Sequence, residues 1–202
     1  MAITTYAELQ ATIATWLERS DLTLVIPDFI TLFEAYANRT LRTRQMEDQA
    51  TLTTSTGTAA LPSDYLYWRS VSWEGDPTRE LVYTYPVSMR NRFPSNELDV
   101  SSLFTVEGNN LVVRPIDDTT NITFRYFKKI PFLSNGNTSN WLLAAHPDAY
   151  LFGSLVEAHA YIPDAERAAL WKLRRDEACD EIQKVSNLSR AGGPARPYGW
   201  IV

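Results

Sequence analysis

With a single cysteine, Cys179, this 202-residue chain cannot close a disulfide within itself. Its stability has to come from a buried core, and a chain near this length buries roughly 70% of the surface its unfolded form exposes. Cys179 itself sits beside apolar Ala178 and reads as a small core or boundary residue. Histidine is nearly as scarce: only His146 and His159 occur, and neither has a second histidine four residues on, so zinc-ligand spacing is absent. Gly-rich phosphate cradles, nucleophile elbows and paired cysteines are missing too. No catalytic residue, no metal ligand and no cofactor is therefore expected, and the chain does not read as an enzyme. Apolar runs are short, well below the ~18 residues that suggest a membrane span. Tyr6, Glu8 and Gln10 interrupt any apolar run near the start, so neither a signal peptide nor membrane association is expected, and a reducing cytoplasm is the expected site of synthesis. Basic charge is also in the minority, with 19 Lys and Arg against 24 Asp and Glu and a net charge of −5. That balance argues against tight, sequence-independent binding to nucleic acid, whose affinity comes from neutralising phosphates.

What is present is helix signal at both ends of the chain. From Trp141 to Leu188 two helices joined by a tight corner are predicted. Pro147 is tolerated in a first turn and Asp148 meets the positive end of the helix dipole. Leu151, Leu155, Ala158 and Ile162 recur at four- and three-residue spacing, with Phe152, Val156 and His159 beside them, which predicts a mostly buried helix. Pro163 ends it and Asp164 offers a cap for the next, whose apolar stripe runs through Ala168, Trp171, Ala178, Ile182 and Val185. At the other end of the chain, Thr5 and Glu8 form a possible capping box ahead of Leu9, Ile13 and Leu17. A second helix begins near Pro27 and continues to about Arg44. Its apolar stripe holds Phe29, Ile30, Phe33 and Ala37, and its polar side Asp28, Thr31, Glu34, Asn38 and Arg42. Arg39, Arg42 and Arg44 fall where the dipole favours positive charge.

Between these helices the composition turns to Thr, Val, Tyr and Trp punctuated by Gly, Pro, Asn and Asp, which predicts strands and turns. Strands are expected at Tyr65 to Trp73, Arg79 to Tyr83 and Asn121 to Lys128, with a helical turn over Pro86 to Phe93. A hairpin is expected from Leu103 to Arg114 around Gly108-Asn109-Asn110. Strict alternation across Tyr65 to Trp73 sets Leu66, Trp68, Ser70 and Ser72 against Tyr65, Tyr67, Arg69, Val71 and Trp73, leaving aromatics on both faces. The chain therefore reads as α+β, an antiparallel bundle of about four helices carrying an inserted antiparallel β domain. The expected divisions are 1–48 and 141–188 for the helical halves, 49–140 for the insertion, and 189–202 for an extended tail. That tail has three glycines, two prolines and no acids, yet ends in Tyr198, Trp200, Ile201 and Val202. Such a tip requires a receiving surface, either a groove on its own domain or a partner. The many Tyr and Trp of the β region also admit an alternative, an aromatic-rich carbohydrate-binding module.

Several motifs, in order, resemble the head-to-tail adaptor proteins of short-tailed and related bacteriophages, the head-completion or tail-tubular protein A-like family. They are Leu61-Pro62-Ser63-Asp64-Tyr65 with Arg69-Ser70-Val71, Val106-Glu107-Gly108-Asn109 with Leu111-Val112-Val113-Arg114-Pro115, and Phe127-Lys128-Lys129-Ile130-Pro131. Asn140-Trp141-Leu142-Leu143, Pro147-Asp148-Ala149-Tyr150-Leu151 with Gly153, Asp164-Ala165-Glu166-Arg167-Ala168 with Trp171, and Gly192-Gly193-Pro194 follow. Residues 76–99 carry no matched motif. The resemblance implies a structural virion protein at the head-tail junction, assembled in the host bacterial cytoplasm as a homo-dodecameric ring below the portal. Its implied partners are its own copies, the portal protein, a downstream tail or nozzle protein, and passing double-stranded DNA that it does not bind specifically. On that reading Arg190 and Arg196 pair with portal carboxylates, and Tyr198, Trp200 and Ile201 anchor the tail. Tyr67, Trp68 and Trp73 are candidate inter-subunit residues. Asp176, Asp180 and Glu181 are a candidate channel lining, or else plain solvated surface.

Overall fold

In the computed structural model the described residues are 3–19, 21–75, 77–93, 99, 101–116 and 121–190, with backbone alone for Ser189 and Arg190. The expected tail residues Arg196, Tyr198, Trp200 and Ile201, and the side chain of Arg190, lie outside them. The fold is α+β. Among the described residues there are six α-helices, where about four were expected, and eight strands. The chain divides into two compact units, residues 1–45 with 130–202, and residues 46–129.

The helical unit contains α1 (Tyr6–Leu17), α2 (Ile26–Thr40), α4 (Trp141–Ala145), α5 (Pro147–Tyr161) and α6 (Ala165–Arg190). Helix α1 starts where the sequence indicates. The Glu8 N–H donates to the Thr5 hydroxyl, and the Glu8 carboxylate accepts from the Thr4 and Thr5 amides and the Thr4 hydroxyl, which holds its pKa down at about 2. Pro147 opens α5, and the Asp164 carboxylate caps α6 by accepting from the Arg167 amide at 3.0 Å. Helix α5 is the hub of the unit and packs against α1, α2, α4 and α6. Its Ala149, Tyr150, Gly153, Ser154, Leu155 and Ala158 are fully buried. At one corner Trp16 of α1, Phe152 of α5 and Trp171 of α6 form a ring cluster, with centroids 5.5 to 6.5 Å apart.

Two residues expected on the polar side of α2 are buried instead. Glu34 is 1% exposed and Asn38 is buried beside it. Both face the segment by which the chain re-enters this unit. Asn38 accepts from the Ile130 amide at 2.7 Å and donates to the Ile130 carbonyl at 3.4 Å. Glu34 Oε1 accepts from the Leu133 amide at 2.8 Å and from the Tyr150 hydroxyl at 3.0 Å. Asn140 completes the network by donating to the Tyr150 oxygen and the Pro131 carbonyl while its Oδ1 caps α4 through the Leu143 amide. The segment is mostly exposed, but its Ile130 and Leu133 are buried, and backbone polar groups there must find partners, which side chains of α2 supply.

The β unit is a sandwich of two four-stranded sheets that share one core. One has the order β1 (Glu47–Thr53), β8 (Asn121–Lys128), β3 (Tyr65–Trp73), β4 (Arg79–Glu80). The other has β2 (Thr58–Ala60), β7 (Asn110–Arg114), β6 (Leu103–Glu107), β5 (Val82–Tyr83). Val71, Leu81, Phe104, Leu111, Val113, Ile122, Phe124 and Tyr126 fill the space between them. The expected hairpin is β6–β7, turning at Gly108, whose φ of 60° suits glycine. Two expectations are corrected here. The sheets are not purely antiparallel, because β5 pairs parallel with β6, and Arg79 to Tyr83 is not one strand but two short ones lying in different sheets. A short helix, α3 (Pro86–Arg92), follows β5.

Helix α5 approaches α2 so closely that a Cβ built on Gly153 would fall 1.9 Å from Cδ2 of Phe33. Alanine normally gains about 1 kcal/mol over glycine within a helix, but overpacking a filled core costs about 1–3 kcal/mol. Gly153→Ala is therefore expected to lower the midpoint of urea unfolding, and the double variant Gly153→Ala with Phe33→Leu to recover part of the loss.

Candidate interaction surfaces

The expected inter-subunit residues Tyr67, Trp68 and Trp73 lie on β3, and the structure changes which of them share a face. Residues 65, 67, 68 and 70 of β3 pair with 128, 127, 126 and 125 of β8, so Leu66 and Arg69 are extra residues that interrupt the ladder. Each interruption shifts the alternation by one, as a β-bulge does. Tyr65, Trp68, Val71 and Trp73 consequently all pack on the core, whereas strict alternation had set Trp68 on the opposite face. Tyr67 stays 53% exposed.

From Trp68 a file of rings runs outward. Trp68 meets Phe104 of the core edge-on at 5.1 Å and stacks on Tyr83 at 5.5 Å and on Tyr67 at 5.8 Å. Tyr83 then meets Tyr85 at 5.7 Å, and Tyr85 is 71% exposed. Val82 and Val87 are exposed beside these rings in sequence. This is a rigid file, anchored at one end in the core and bare at the other. Tyr83, Tyr85, Val82 and Val87 were not among the expected contact residues. Their signal is the run Val82-Tyr83-Thr84-Tyr85-Pro86-Val87, whose apolar side chains fall on both sides of a two-residue edge strand.

The outer face of the first sheet is different in kind. A groove of about 550 Å³ is lined by Glu47, Asp48, Gln49, Arg69 and Arg125. On this face Arg69 pairs with Glu47 and Arg125 donates to Gln49 at 3.1 Å, while Lys128 pairs with Asp48 at 2.8 Å on the side of the strands that Tyr126 shares. Cross-strand pairing spends these charges on one another and leaves a polar face of low net charge.

In the helical unit, the three expected channel-lining acids occupy α6. Asp180 and Glu181 are exposed. Asp176 is partly buried, accepting from Tyr36 of α2 at 3.0 Å and from the neighbouring Arg175 guanidinium, which lies 3.9 Å from the Tyr36 ring centroid. Its charge is thus engaged within the bundle, unlike the other two. Exposed charges of both signs are mixed along α6, from Glu166 and Arg167 to Glu181 and Lys184, and Arg174 lies 3.8 Å from Glu177.

Elsewhere, His159 is buried 3.8 Å from Asp164, and burial lowers its pKa. Cys179 is buried and its thiol is pushed up to about 11, the opposite of an activated nucleophile. Among the described residues no cluster of three or more His, Cys, Asp or Glu is placed to hold a metal ion, and no helix is long and apolar enough to cross a membrane.

The ring file separates a structural anchor from a free surface. Trp68→Ala removes a partly buried indole from the core and should cost about 2–4 kcal/mol in chemical unfolding, whereas Tyr85→Ala should stay within about 0.5 kcal/mol of the parent.

Comparison with curated proteins gave no match. A family model described as SU10 adaptor protein matches residues 4–198, from just before α1 through both units and into the segment beyond α6. The chain therefore belongs to the SU10 adaptor family, phage head-to-tail adaptors that are structural parts of the virion.

Proposed function

We propose that this protein assembles as a closed ring of twelve copies beneath the portal, extends the DNA channel, and offers the platform on which the tail is built. The observation that carries this reading is the family match over residues 4–198. In this reading the helical unit forms the body of each copy, the β unit is the insertion, and residues 189–202 are the segment that docks on the portal. Arg190 and Arg196 pair there with carboxylates, while Tyr198, Trp200 and Ile201 fill apolar pockets. A cyclic ring needs two different complementary faces on every copy. The exposed end of the aromatic file, with Tyr67, Tyr85 and Val87, supports one such face, and Trp68 holds it from behind, whereas Trp73 packs on the core further along β3. Asp180 and Glu181 on α6, with Asp176 contributing less because it is already paired, give a channel wall that does not hold DNA. The sugar-binding alternative gains no support, since Tyr67, Trp68 and Tyr83 spend ring faces on one another that a sugar platform would present to solvent.

The test is mass. Mixed with purified portal rings, twelve copies of 22.9 kDa should add about 275 kDa to the complex. Deleting residues 189–202 should abolish that gain with the unfolding midpoint unchanged, and Tyr85→Ser with Val87→Ser should reduce copy number. No gain of mass, or strong salt-sensitive binding of duplex DNA by the purified protein, would overturn the reading.

A further inference from the structure

The polar network around Glu34 is more than a structural clamp. A carboxyl group has two oxygens, and only one of these is served. Oε1 accepts from the Leu133 amide and the Tyr150 hydroxyl, while Oε2 is buried with no hydrogen-bond partner. Burial of this kind penalises the charged form, and two neutral donors on a single oxygen do not offset it. Its surroundings supply no compensating cation. From α2 itself the neighbour one turn on is neutral Asn38, from the return segment it is a backbone amide, and from α5 it is Tyr150, whose own pKa is raised by burial and by the adjacent carboxyl. Charged groups on the elements packed around are engaged elsewhere or exposed. Arg175 and Asp176 of α6 meet Tyr36, His159 of α5 faces Asp164, Glu8 of α1 is held in its cap, and Asp148 of α5 is exposed. Desolvation is accordingly the leading influence on Glu34, and it raises the carboxyl from an ordinary 4.5 to about 7.

We propose that Glu34 is a proton-sensitive latch on residues 130–140: protonated, it holds the buried Ile130 and Leu133 of this otherwise exposed segment against α2 and α5, and ionised, its bare Oε2 drives that attachment to open and admit water. The segment is the stretch by which the chain re-enters the helical unit, and it also supports the start of α1, whose Tyr6 amide donates to the Thr138 carbonyl at 2.7 Å. Because the closed state binds the proton more tightly than the open one, closure is firmest below about pH 4.5 and weakens as pH rises through about 7. Above that it levels off.

Amide hydrogen exchange, corrected for the intrinsic pH dependence of exchange, reads the latch directly. Between pH 5 and pH 8 the protection of residues 130–140, taken relative to amides in the middle of α5, should fall by more than about tenfold in the parent protein. Glu34→Gln keeps the accepting oxygen and removes the charge, so its protection should stay flat across that range. Should Glu34→Gln not fold, titration of the Glu34 side-chain carbon by NMR in the parent decides the matter. A midpoint near 7 supports the latch, and one below 5 overturns it. Protection that is independent of pH in the parent, or that falls equally in Glu34→Gln, also overturns it.

Discussion

The helical unit depends on one contact line, where α2 meets α5. Phe33 and Glu34 are consecutive on α2 and do opposite jobs there. Phe33 fills the space that Gly153 leaves open and meets Tyr150 edge-on at 5.1 Å, so the two helices pack at short range. Glu34 binds the hydroxyl of that same Tyr150 and hands the other side of the contact to the return segment at Leu133. Close packing between helices restricts both spacing and rotation. Once they are set, Asn38 falls opposite Ile130 and Asn140 opposite Tyr150, and the irregular residues by which the chain re-enters this unit acquire partners for their backbone groups.

Much of this architecture is legible in the amino-acid order, for local reasons. The capping box at Thr5 and Glu8, the first-turn Pro147, the cap at Asp164 and the turn at Gly108 depend on residues within four positions of one another, so they can be read without knowing what packs where. The strand from Tyr65 to Trp73 is legible in its extent for the same reason. Its facing is not, because two bulges depend on how β8 pairs alongside, and each one reverses the alternation downstream. The burial of Glu34 and Asn38 is hidden in a similar way. On a helical wheel they belong with Asp28 and Thr31, and only the chain returning near Ile130, more than ninety residues later, turns that side of α2 inward. The contact surface around Tyr83 and Tyr85 escaped notice because Arg79 to Tyr83 reads as one strand. In the fold it crosses from one sheet to the other, and Tyr83 lies on the short edge strand after the crossing, where it packs on Trp68 and carries Tyr85.

A structural part of a virion has to carry exposed apolar surface without sticking at random, and the β unit manages this through its edges. Free strand edges are the usual route to indiscriminate pairing. Here β4 and β5 are two residues each and β2 is three. Arg79 and Glu80 of β4 are both charged, and the longer edge strand β1 begins Glu47-Asp48-Gln49 with its first two side chains already paired across the sheet. Backbone recruitment is thereby discouraged along these edge strands. The surface left for association is made of side chains, the ring file ending at Tyr85, whose geometry is dictated by stacking back to Phe104 in the core. Strand addition would accept almost any extended chain, whereas a file of fixed rings accepts only a surface shaped to meet it. That selectivity is what the closed ring proposed above would require, since in such a ring each copy must meet its neighbour at one angle and no other.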